Sequence, residues 1–106
     1  MTTISIAEDL LEGLDFVQGK NAREKIFHLI VNNVLLRLKE CEESLFQFES
    51  RYGMNFESFA KAWDEDEIPE KHSHEVERYY MEWEGFYGER RKLLKTLRTM
   101  RMRERR

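Results

Sequence analysis

From Ala22 to Tyr52 the chain runs 31 residues without proline or glycine, and Phe27, Val31, Val34, Leu38, Cys41, Leu45, Phe48 and Tyr52 recur at alternating spacings of four and three. That is a heptad seam, and it predicts one helix over 22–52. Unbroken, such a helix is a rod of about 46 Å. Ile26, Leu29, Ile30, Leu35, Leu36 and Phe46 widen the apolar stripe beyond a two-helix seam, above all in the first half, which is therefore expected to meet more than one helix. Near the other end of the sequence, Val76, Tyr79, Trp83, Phe86, Arg90, Leu93, Leu97 and Met100 repeat with the same period. Two stripes of equal period bury each other best as an antiparallel hairpin.

Punctuation residues set the remaining boundaries. Asn21 is placed to cap the first rod, Gly53 to end it in a left-handed conformation, Asn55 to cap a short helix over 55–64, and Ser73 to cap a last helix over 74–103. The acid-rich stretch DEDEIPEKHSH between the last two reads as a solvated connection. Ahead of the rod, Leu10, Leu11, Leu14 and Val17 (or Phe16) recur at helical spacing behind Glu8 and Asp9, although Gly13 weakens that helix. The opening TTISI alternates as a short strand does. The expected fold is mainly α: a single helical domain over 1–106, built as a long antiparallel, coiled-coil-like hairpin with a short helix at the turn. Residues 1–20 are a strand or short helix for dimerisation.

Composition agrees with exposed helices: of 106 residues, 41% are apolar and 37% charged, with one proline and five glycines. Charge is unevenly spread. The formal net charge is −3, yet residues 90–106 hold nine Lys or Arg against one Glu, which leaves −11 on residues 1–89. Such a basic end either opposes the negative pole of its own helix or contacts nucleic acid through Arg98, Arg101 and Arg103. No run of 18 apolar residues and no basic-then-apolar leader occurs, so the expected setting is cytoplasmic, with no membrane contact. The single cysteine, Cys41, fits a reducing compartment.

Candidate chemistry is sparse. His72 and His74 stand one residue apart near Glu70 and Glu75 and could together supply two or three ligands to a divalent metal, but no third histidine lies close in sequence and a charged loop holds such residues by chance. Glu82 and Glu84 flank Trp83, an arrangement explained by an inward aromatic and two wet acids. Cys41 stands among Glu40, Glu42 and Glu43, which raise a thiol pKa. No phosphate loop, dinucleotide glycine pattern or nucleophile elbow is present, so no enzyme, cofactor or metal is expected. The densest feature is aromatic: Tyr79, Tyr80, Trp83, Phe86 and Tyr87 fall within nine residues, more than one seam absorbs. With Trp63 they are the expected contacts for a protein partner.

TTISI, AEDLLEGLDFV and GKNAREKIFHLIVNNVL together resemble the strand, first helix, turn and second helix of the ribbon-helix-helix family, over about the first 40 residues. The resemblance implies paired strands in a DNA major groove, with Thr3 and Ser5 facing bases and Asn21 at a phosphate-binding cap. Two departures weigh against DNA binding: the strand lacks Arg, Lys, Asn and Gln, and residues 1–45 carry five bases against eight acids. The stretches LLRLKECEESLFQFESRYGMNFESF, EIPEKHSHEVE and YYMEWEG, within about residues 35–98, are similar to small helical antitoxins of prokaryotic type II toxin–antitoxin pairs. That likeness implies an N-terminal part for dimerisation or operator binding and a helical remainder that wraps and blocks a toxic enzyme; the −11 on residues 1–89 would suit a basic, nuclease-like one, with a homodimer the expected assembly. The alternatives are a self-associating scaffold and a nucleic-acid-binding regulator.

Overall fold

The computed structural model describes residues 5–104. Four α-helices and one 3-10 turn follow in order: α1 (Glu8–Gly13), the 3-10 turn (Leu14–Phe16), α2 (Ala22–Tyr52), α3 (Phe56–Asp64) and α4 (His74–Glu104). The two 31-residue rods, α2 and α4, form an antiparallel hairpin. Its radius of gyration is 19.5 Å and its extents are 55 × 29 × 24 Å. A compact chain of 100 residues would have a radius near 13 Å. The molecule is thus a rod too long for one core to fill.

Each cap does what its residue type predicts. The Asn21 side chain accepts from the Glu24 N–H, and the Glu24 carboxylate in return accepts from the Lys20 N–H, which satisfies two donors at the start of α2. Gly53 ends α2 at φ 67°, donating its N–H to the Glu49 carbonyl. Asn55 accepts from the Ser58 N–H to start α3, and the Ser73 hydroxyl accepts from the Val76 N–H at the start of α4.

The core lies at the turn end of the rod. Cys41 and Leu45 from α2, Phe56 and Phe59 from α3, Ile68 from the following loop, and Val76 and Trp83 from α4 form one buried cluster. Trp83 and Phe59 have no exposed surface at all. The loop was expected to be a solvated connection, and its acids are exposed, but Ile68 is buried and pins it to the core. Asp66 and Glu70 bracket that anchor in left-handed conformations, at φ 57° and 56°. The Asp66 carboxylate receives a hydrogen bond from Lys71 Nζ at 2.7 Å, and the same ammonium stands 5.4 Å over the Trp63 ring.

Toward the open end the hairpin thins to two helices. Midway along the rods two exposed polar pairs bridge them: Arg37 of α2 with Glu89 of α4, and Arg90 Nε with Glu42 Oε1 at 3.4 Å. Arg90 takes a seam position because its half-buried stem packs while its guanidinium reaches Glu42. The expected N-terminal strand falls mostly on residues 1–4, which lie outside the described residues, and Ser5–Ala7 adopt no regular structure. Among the described residues there is no strand.

Candidate interaction surface

The seam divides along its length. Val34, Cys41 and Leu45 are buried, while Phe27, Val31, Leu38 and Phe48 on α2 and Leu93 and Leu97 on α4 are half-buried. At the turn end, Cys41 donates its S–H to the Phe86 carbonyl at 3.0 Å, and burial, with Glu89 nearby, pushes its pKa up. A neutral thiol in that position is a small core group, not a nucleophile.

Part of the aromatic cluster lies off the core face, but most of it does not. α3 folds back over α4 and absorbs it: Trp83 packs on Phe59 at 4.7 Å between ring centroids and stacks on Phe48 and Tyr52 at 5.5 and 5.8 Å. Trp63 and Tyr80 pair at 4.6 Å, and Phe86 and Tyr87 pack partly buried against the same cluster. The Tyr87 hydroxyl donates to Glu57 of α3. Tyr79 alone turns outward, its ring half-buried with the Arg51 guanidinium 4.2 Å from its centroid and its hydroxyl donating to Glu75. The sequence period of α4 could not show this, because the element that covers the second aromatic face is α3, whose own Phe56, Phe59 and Trp63 carry the signal.

What remains exposed and apolar lies elsewhere. Leu29, Ile30, Leu35 and Leu36 on the first half of α2 are 44, 37, 41 and 55% exposed, and Met102 at the end of α4 is 58% exposed. Leu10, Leu11 and Phe16 of the N-terminal segment are 63, 40 and 94% exposed. A helix apolar on several sides belongs inside an assembly. Among the described residues no second helix covers this half of α2, and α1 packs chiefly on its own 3-10 turn. Phe46 and Met81 are the exposed large apolar residues near the middle and turn end.

No family model, no curated protein and no solved structure matches this chain. Its surface chemistry therefore has to be read directly.

Charge follows the same axis. Residues 55–77, at the turn end, carry eight acids and two lysines. At the open end, residues 20–39 and 95–104 carry nine bases and two acids. Arg23 and Arg103 line one groove there with Ile26, Phe27, Ile30 and Met100. Arg98, Arg101 and Arg103 are exposed on the last turns of α4. Asn21 Oδ1 is taken by its capping bond, Ser5 is exposed outside any helix, and Thr3 lies outside the described residues. Among the described residues, no group of three or more His, Cys, Asp and Glu is arranged to hold a metal ion, so His72 and His74 gain no further donors. No helix of the described residues is long and apolar enough to cross a membrane.

Proposed function

We propose that this protein is a non-enzymatic protein-interaction module, a hairpin whose turn end is a self-sufficient stem and whose open end is a docking arm. The carrying observation is the set of exposed leucines and isoleucine on the first half of α2, with Leu10, Leu11 and Phe16 exposed on the N-terminal segment. Large apolar patches of this kind mark interfaces in soluble proteins. A nucleic-acid interface would use the basic residues of the same end but would leave these side chains in water, because such interfaces are polar.

The finer reading is antitoxin-like: the acidic turn end steers a basic, nuclease-like partner, and the module acts by covering that partner's phosphate-binding cleft. The excess of acid over residues 55–77 supports it. Contact there would fall on Tyr79 and the outer edges of Trp63 and Tyr80, not on the fully buried Trp83.

The test is co-purification of the tagged full chain from its native cells at low salt, with bound species identified by mass. A stoichiometric basic protein, released by salt and inhibited as a nuclease by the module, is the expected result. Nucleic acid as the sole co-purifying species, lost when Arg98, Arg101 and Arg103 are replaced, would replace this reading with the regulator.

A further inference from the structure

Among the described residues two apolar surfaces have no helix packed on them, and the chain itself supplies the chemistry that fits each to the other. The first is the N-terminal segment, where Leu10, Leu11 and Phe16 project from α1 and the 3-10 turn; Phe16, at 94% exposed, touches almost nothing. The second is the first half of α2. At 100° per residue Leu29 and Leu36, one heptad apart, lie on the side opposite the Phe27–Val34–Cys41 seam, with Leu35 on the flank. α4 cannot reach that side.

Their charges are opposite. Residues 8–16 carry Glu8, Asp9, Glu12 and Asp15 and no base, whereas α2 over residues 22–39 carries Arg23, Lys25, Arg37 and Lys39 against Glu24, with Lys25 and Lys39 turned toward the Leu29–Leu36 side. The short link between them is held in one course. Gly19 sits at φ 145°, and a Cβ there would stand 2.9 Å from the Lys25 backbone nitrogen, so the link passes close over the first turn of α2 while Phe16 stays exposed.

We infer that the occupant of the open end is a second copy of this chain: the acidic, apolar segment 8–16 of each copy lies on the basic, leucine-bearing first half of the other copy's α2. The inference rests on the protein-interaction reading above and names the partner for that surface. Every copy offers both halves of the contact, so a two-fold axis closes the assembly as a dimer with no surface left over for chain growth. Both acidic turn ends then point outward, clear of the dimer contact. The pairing also provides the additional helix that the width of α2's apolar stripe demands.

The experiment is sedimentation equilibrium of the full chain across a concentration series at low and high salt, with helix content followed by circular dichroism. The expected species is twice the chain mass of 12.9 kDa. Phe16→Glu and Leu36→Glu alter exposed side chains, so helix content should hold while the dimer weakens by about tenfold or more. Reversing the segment with Glu12→Arg and Asp15→Arg should also dissociate it, and adding Lys25→Glu and Lys39→Glu on α2 should restore it. A monomer at every concentration overturns the inference. If that monomer binds a different protein and Leu36→Glu abolishes the binding, the protein-interaction reading survives with another occupant; if Leu36→Glu changes nothing in either assay, both fall. A dimer untouched by Phe16→Glu and Leu36→Glu also overturns the inference, since its contact lies elsewhere.

Discussion

Phe59 of α3 and Trp83 of α4 meet with ring centroids 4.7 Å apart, and neither exposes any surface to solvent. The contact closes the turn end: α3 is held on the hairpin by this ring, and Trp83 is in turn enclosed by Phe48 and Tyr52 of α2. The Trp83 indole N–H finds no hydrogen-bond acceptor among the described residues, so burial of the ring outweighs an unmet donor.

Replacing either ring should be costly. Phe59→Ala or Trp83→Ala is expected to lower unfolding stability by about 3–5 kcal/mol, read from denaturant midpoints, because the cavity cannot be filled from neighbouring helices. A loss below about 1 kcal/mol for both would mean that the cluster is not the core.

The loop anchored by Ile68 holds two non-glycine residues in the left-handed region. At Glu70, a change to Gly and a change to Val should part company: the valine variant is expected to be less stable than the glycine variant by about 1–2 kcal/mol. Equal melting temperatures would show that the backbone there is not held at positive φ.

Lys71 donates to the Asp66 carboxylate and holds its pKa below the ordinary aspartate value. A folded-state pKa that is lowered contributes stability at pH above the unfolded value, about 3.9, and that contribution is lost as pH falls through the folded value. Carboxyl NMR titration should therefore place Asp66 below unperturbed aspartates, and Lys71→Met should bring it back up. An Asp66 titration that Lys71→Met leaves unmoved would remove the pair.

Burial raises the Cys41 pKa, and its S–H is engaged by the Phe86 carbonyl. Labelling by a disulfide reagent at neutral pH should be far slower in the folded protein than in denaturant, and should speed up in Phe59→Ala. Folded and denatured proteins reacting at the same rate would place Cys41 on the surface.

Much of the fold was legible in the chain. The two runs of alternating three and four spacing gave both rods, and Asn21, Gly53, Asn55 and Ser73 marked their ends, because capping is a local property of the residue and its next few neighbours. The interaction site was less legible. An aromatic stripe in sequence does not say which element covers it, and Trp83 became core only because α3 returns across α4. Ile68 was hidden among acids, where one apolar residue carries no period. The apolar width of α2's first half was readable, but not that no helix of the described residues covers its outer side.

In the proposed dimer the turn half of the hairpin is stable alone while the open half depends on its partner. Amide hydrogen exchange across α2, measured from dilute to concentrated protein, tests it most directly. Residues 41–52 should be protected to the same degree throughout, and residues 26–38 should exchange faster when dilute and gain protection with concentration. Equal and concentration-independent protection along the whole of α2 would contradict the account.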